Sequence, residues 1–301
     1  MQMNKFFMAF LVIAAIWVIS FGISKIIETE NNLENKIVIL PIKGIIVSDD
    51  EITGIFGEEN TVSSDVLERL DSIEKDGSIK SVVLEINSPG GTVVASKEIA
   101  ERIKKLNKPV VAWIREYGAS GAYWIASSSD YIVADELSVT GSIGVIGSYL
   151  EFSRLFEKYG VGYERMVAGD YKDAGTQYKK LAKNERELLQ KKLDLIHKRF
   201  KDDVSVNRNI SSEKMDDIAN GIFYLGYEAY DLGLVDKLGN KEDAISKAKE
   251  IANIKEAKLV EVKEKKSFIE LLSRIASKEF YYAGKGIGDA LVQNGFGFSL
   301  T

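Results

Sequence analysis

The chain has no cysteine and only one histidine, His197, among its 301 residues. Without cysteine there are no disulfides, no thiol catalysis, no lipid attachment at cysteine and no cysteine-ligated metal. One histidine excludes a histidine-rich metal site and leaves a Ser-His-Asp triad a single residue to draw on. That residue lies in the charged helical run Lys191-Lys192-Leu193-Asp194-Leu195-Ile196-His197-Lys198-Arg199 and reads as a solvated helix-face position. There is no basic tract and the formal net charge is -5, so nucleic acid is not an expected partner. No Gly-Lys-Ser/Thr follows four variable residues after a glycine, so the phosphate-loop pattern is missing. Internal repeats and low-complexity segments are missing too.

What is present is ordinary globular composition, 45% apolar and 28% charged, with enough chain for a substantial core. The run from Phe6 to Ser24 carries no charge and is just long enough to cross a bilayer as a helix. Ser20-Phe21-Gly22 is a poor small-x-small cleavage site, so the run reads as an uncleaved anchor rather than a removed signal peptide. The short amino-terminal side is expected to stay in the cytoplasm, which places the body of the chain outside the cell membrane. The resulting division is an anchor over residues 1–25, a polar linker over 26–36, a main domain over 37–254, and an amphipathic helix with a flexible tail over 255–301. In that last part Phe268, Leu271, Leu272 and Ile275 make a helical stripe.

Apolar, β-branched runs alternate with helical patterns through the main domain. Strands are expected at Lys36–Ile42, Ser81–Ile86, Pro109–Ile114, Asp130–Asp135 and Tyr163–Val167. Helices are expected at Val93–Leu106, after Ser120, at Glu151–Tyr159, over 184–208, at Asp216–Ala219, at Tyr227–Leu232 and at Lys241–Ile254. A further helix follows Ser63 and Ser64, which are placed to cap it. This order implies an α/β fold with a mainly parallel, buried sheet and ligand sites at the carboxyl ends of its strands.

Two Gly-rich turns sit at such ends. In Tyr117-Gly118-Ala119-Ser120-Gly121-Ala122, a serine stands between glycines where a strand gives way to a helix. A nucleophile belongs at such a junction, because the helix start offers unpaired N–H groups to developing negative charge. The same residues also suit a plain tight turn and helix cap. In Ser88-Pro89-Gly90-Gly91, backbone N–H groups are open to an oxyanion, paired with the N–H of Gly121. A serine hydroxyl needs a base, and with His197 badly placed a desolvated lysine is the alternative. Lys172, in the glycine-flanked loop Gly169-Asp170-Tyr171-Lys172-Asp173-Ala174-Gly175, either points into a cleft or pairs on the surface with Asp170 or Asp173.

Four segments together resemble the signal peptide peptidase A family. They are Asn87-Ser88-Pro89-Gly90-Gly91, Ala119-Ser120-Gly121-Ala122-Tyr123-Trp124-Ile125-Ala126, Thr140-Gly141-Ser142-Ile143-Gly144-Val145 and Tyr171-Lys172-Asp173. They occur in that family's order over Ile37 to Ile254. One departure is Ala122, where many members carry glycine. The resemblance implies a membrane-tethered Ser/Lys peptidase of the short form, with the Clp protease and crotonase fold of repeated ββα units behind one transmembrane helix. It implies that Ser120 is the nucleophile and Lys172 the general base. Gly91 and Gly121 become the oxyanion-hole donors, and Ser142 the residue that holds the lysine. It further implies peptide substrates left by signal processing, a homo-oligomeric ring, and no metal or organic cofactor. A peptidase acting on a membrane-protein partner, or a crotonase-type acyl-CoA enzyme, are the alternative activities for such a fold.

Overall fold

The run Ile37-Val38-Ile39-Leu40 is apolar on both faces, the mark of a strand covered on both sides. In the computed structural model, which describes residues 13–21, 35–49 and 60–262, it lies within β1 (Lys36–Val47). Ile37, Val38, Ile39 and Leu40 are all buried there. Next come β2 (Thr61–Val62), α2 (Ser63–Lys75), β3 (Ile79–Gly91), α3 (Val93–Lys104), β4 (Val110–Ala119) and α4 (Gly121–Ser127). They are followed by β5 (Tyr131–Ala134), β6 (Val139–Gly141), α5 (Ser153–Lys158), α6 (Lys183–Arg208) and α7 (Ser212–Ile218). The described chain closes with β7 (Phe223–Leu225), α8 (Gly226–Leu232), β8 (Lys237–Leu238), α9 (Lys241–Ile251) and β9 (Lys258–Glu261). Residues 13–21, here α1, are helical.

The sheet runs β2-β1-β3-β4-β5-β8, with β9 also on β1 and β6 on β4. Every pairing among the described strands is parallel except β6 with β7. The long strands change register or partner partway. β1 shifts against β3 between Lys43 and Ile45, and β3 against β4 between Ile86 and Ser88. β4 pairs β5 through Ile114 and β6 from Tyr117 onward. Each therefore has a first arm in the core and a second arm that leans toward the turns at its carboxyl end. Pro41 lies between the pairings of β1 with β9 and with β2, where its missing N–H removes no bond on that edge.

Side chains alternate across this sheet. Ile37, Ile39, Val83, Val111 and Val133 meet Ala244 and Ala248 of α9, small residues that let the helix approach closely. The other face is covered by α3 and α4, whose Ile99, Ile103 and Ile125 are buried. α4 is packed between the sheet and α6, and Trp124 stacks on Phe200 with ring centroids 4.5 Å apart. The Tyr123 hydroxyl, in full burial, donates to the Leu234 carbonyl at 2.8 Å. Arg208 closes α6 against the sheet by pairing with Asp236 at 2.7 Å.

Several expectations are corrected. Tyr163–Val167 forms no strand: its side chains are exposed, with no sheet edge to pair with. The stretch Asn87–Gly91 is the second arm of β3 rather than a turn. Val62 occupies the cap position of α2, and the Ser63 hydroxyl instead donates to Glu98 at 3.2 Å. Residues 258–261, expected beyond the domain, form β9 on the edge of β1. His197 is half-buried and not a solvated face residue. Of the expected membrane span only residues 13–21 are described, and among the described residues no helix is long and apolar enough to cross a membrane. The helical stripe from Phe268 and the tail after it lie outside the described residues.

Candidate active site

Ser120 stands where β4 ends and α4 begins. Its φ of 54° and ψ of -124° place it in a backbone region that side chains rarely occupy. Two backbone bonds hold it there. Its N–H donates to the Gly141 carbonyl at 2.8 Å, and its carbonyl accepts from Trp124 at 3.0 Å, opening α4. The side chain is half-buried, and among the described residues its hydroxyl makes no hydrogen bond, so the oxygen is available for chemistry.

The second arm of β3 lies directly against this turn. A Cβ on Gly90 would stand 2.8 Å from the Gly121 nitrogen and 3.0 Å from the Ser120 Cβ. A Cβ on Gly121 would stand 2.2 Å from the Ser96 hydroxyl and 3.3 Å from the Gly91 nitrogen. Close backbone approach here admits glycine alone. Thr92, the residue after Gly91, donates to the Ile46 carbonyl at 2.8 Å. The Gly91 N–H therefore points to the opposite edge of β3, toward Gly121. The Gly121 N–H belongs to the first turn of α4, whose donors have no partner inside the helix. Two backbone donors are thus gathered beside the serine, the arrangement that stabilises an oxyanion.

Two buried hydroxyls fix these arms, and neither stands out in the sequence beyond membership of the motifs. Ser88 donates to the Gly44 carbonyl at 2.6 Å and accepts from the Gly90 N–H at 3.1 Å. Thr140 donates to the Gly118 carbonyl at 2.8 Å, pinning the second arm of β4 to β6. Ser142, just past β6, has φ 48°. Its N–H donates to the Ile222 carbonyl at 2.9 Å and its hydroxyl to the Gly221 carbonyl at 3.2 Å.

Lys172 is exposed on a lobe of turns between β6 and α6, and its N–H donates to Gly169 at 3.1 Å. Asp173 is engaged by Arg165, at 2.9 Å to its second nitrogen, and by Lys179 at 3.1 Å. Arg165 chiefly, with Lys179, holds the Asp173 carboxyl well below the usual carboxylate range. Among the described residues the Lys172 ammonium pairs with neither Asp170 nor Asp173 and makes no hydrogen bond to Ser120 or Ser142. One chain thus unites Ser120, Gly91 and Gly121, connects Ser142 to them through Gly141, and leaves the Lys172 ammonium on the lobe without a partner among the described residues.

A serine at a strand-to-helix turn, faced by two backbone donors on a parallel α/β sheet, is an arrangement suited to nucleophilic acyl transfer. The chain belongs to peptidase family S49, whose family model matches residues 102–255, and it is a serine peptidase. The Clp protease family model matches residues 42–132, the part that carries β3 and Gly91. A putative protease of Methanocaldococcus jannaschii is 37% identical over 242 residues, covering 79% of this chain and 76% of that protein. A putative signal peptide peptidase of Enterococcus faecium is 36% identical over 255 residues, covering 80% of this chain and 74% of that one. Protease 4 of Haemophilus influenzae is 33% identical, over 74% of this chain and 36% of its own length. Among solved structures, a ClpP1 mutant from Listeria monocytogenes aligns with TM-score 0.46 and 17% identity, covering 69% of this chain and 94% of that chain.

Proposed function

We propose that the protein is a membrane-anchored endopeptidase with a Ser120/Lys172 dyad, which degrades remnant signal peptides and similar apolar peptides through an acyl-enzyme. The meeting of Ser120 with the Gly91 and Gly121 donors carries this reading. The relative named as a putative signal peptide peptidase supports the substrate class. The uncharged run Phe6–Ser24 supports an anchor with the catalytic domain on the extracytoplasmic side.

Neutral Lys172 takes the Ser120 proton as Oγ attacks the scissile carbonyl carbon. The carbonyl oxygen becomes an oxyanion that accepts from the Gly91 and Gly121 N–H groups. Collapse breaks the C–N bond, and the leaving amine takes the proton from the Lys172 ammonium. A water then gives its proton to Lys172 and attacks the acyl carbon. Ser120 leaves and recovers the proton. Ser142 holds the lysine. Protein groups suffice for every step.

The exposed position of Lys172 gives this dyad an assembly requirement. Ile146 and Met166 on the same lobe are 91% and 94% exposed, and Leu150 and Tyr159 are also open. A ring of copies covers these side chains and delivers the Lys172 of one copy to the Ser120 of its neighbour, drying the amine so that it loses its proton. The test is hydrolysis of a panel of signal-like peptides by the full chain. Wild type cleaves, while Ser120→Ala and Lys172→Ala each do not. Near-normal turnover by Lys172→Ala at neutral pH would overturn the dyad.

A further inference from the structure

Three consecutive residues, Gly141, Ser142 and Ile143, hold the site together, and the third is tied by the chain's one histidine. Gly141 accepts from the Ser120 N–H at 2.8 Å, and Ser142 donates to Ile222 at 2.9 Å. The Ile143 carbonyl lies 3.1 Å from Nε2 of His197 on α6. A carbonyl only accepts, so Nε2 carries the proton and donates. The Ile143 side chain is fully buried. A Cβ on the next residue, Gly144, would stand 2.9 Å from the Gly221 Cα, so the β7 side of this segment has no slack. His197 closes the other side.

We infer that His197 is a positioning residue of the peptidase site, which through the Ile143 carbonyl fixes the segment that orients Ser120 and Ser142. This rests on the serine peptidase reading proposed above. The same helix also carries the lobe. Leu193, one turn before His197, faces Gly147, and Leu189, two turns before, faces Gly175, with contact distances of 3.5 Å and 3.9 Å to where their side chains would begin. α6 therefore connects the lobe that bears Lys172 to the segment that bears Ser142, and His197 is its bond to that segment. The open cleft beside the ring is edged by Asp194, Lys198, Lys201 and Asp202 of α6 and by Asp216 of α7. Whatever charge those groups favour on the ring, Nε2–H donates in the neutral Nε2 tautomer and in the cation alike. The role is geometric, unlike that of a general base.

The test uses the full-length protein with His197→Leu, which removes the donor, and His197→Gln, which keeps an N–H donor. Turnover of a peptide ester is read beside amide hydrogen exchange. His197→Leu is expected to lower kcat roughly 10- to 100-fold with little change in KM, the scale of a small misplacement of reacting groups. Exchange at the Ser120 and Ser142 amides rises in that variant, while α3 amides stay protected as in wild type, which reports an intact fold. His197→Gln restores most of both, and its pH profile superimposes on that of wild type. Unchanged kcat or unchanged exchange at Ser142 in His197→Leu overturns the inference. So does a glutamine variant no better than leucine, or one that loses a limb of the pH profile. If wild type and Ser120→Ala are equally inactive, the peptidase reading is what fails, and the exchange data still decide whether His197 holds the segment.

Discussion

The amide of Ser120 donates to the carbonyl of Gly141 at 2.8 Å, so the backbone of this serine is anchored to a strand as well as, through its carbonyl and Trp124, to its own helix. That bond holds Ser120 at a positive φ, where an L-residue is strained. Activity and stability are therefore opposed at this residue. Ser120→Ala is expected to abolish turnover and keep the fold, since alanine carries the same strain. Ser120→Gly relieves it by about 1 kcal/mol. Its melting temperature should lie roughly 2–4 °C above that of Ser120→Ala, read by calorimetry on both variants.

Gly121→Ala drives a methyl group to the Ser96 hydroxyl, whose oxygen would be 2.2 Å away. Overpacking of this kind costs about 1–3 kcal/mol, and a shift of the Gly121 N–H weakens oxyanion binding as well. Adding Ser96→Gly opens the space. The double variant should recover much of the lost stability, giving a coupling of about 0.5–3 kcal/mol in urea titrations. Strictly additive losses would show that the two residues do not crowd each other.

If Lys172 acts on the Ser120 of a neighbouring copy, two dead variants complement each other. Ser120→Ala and Lys172→Ala, denatured together and reassembled in equal amounts, form wild-type sites wherever an intact serine meets an intact lysine. Random mixing in a head-to-tail ring makes that about one quarter of all sites. Peptide hydrolysis near that fraction of wild type is the expected result. A mixture as inactive as its parts would place both groups of the dyad in one chain.

Arg208→Met removes the partner of Asp236, and with it the bond that closes α6 on the sheet. The arginine side chain is 7% exposed and the aspartate 28%, so the loss belongs at the low end for buried pairs, about 3 kcal/mol. A fall in melting temperature of roughly 6–12 °C follows for a domain of this size. The change should leave KM alone, since neither residue lies at the turn of Ser120.

The ion cluster of Asp173 sets the acid behaviour of the lobe. Its carboxyl is held low by Arg165 and Lys179 when folded. Its contribution is therefore complete above the ordinary carboxylate value of about 4 and fades as pH drops toward the depressed folded value. Amide protection factors in residues 163–180, taken relative to the intrinsic exchange rate at each pH, should fall on going from about pH 5 to about pH 2. Asp173→Asn should be loose throughout and show no such step.

The parallel sheet was legible because its strands carry continuous apolar runs: Ile37–Leu40 and Val82–Leu84 read as parts of buried strands and are buried. The long helix over 184–208 was equally plain and spans Lys183–Arg208. The turn of Ser120 and the approach of Gly91 announced themselves through glycine, whose missing side chain records a close contact. Other features left no mark. Tyr163–Val167 has the composition of a strand, but an edge to pair with is a property of the whole fold. β9 is four residues long and mostly exposed, too short for a period to show. His197 sits among charges, and nothing local reveals that a carbonyl 54 positions earlier lies within reach.

The pairing of β9 with β1 has a consequence for biosynthesis. Lys36 aligns with Lys258, so that edge of β1 waits unzipped while more than two hundred intervening residues leave the ribosome. Until β9 emerges, an apolar ribbon with free amide and carbonyl groups is exposed to other nascent chains. A chain cut short before residue 258 keeps that vulnerability for its whole lifetime, and its fate is decided by chaperones and quality control.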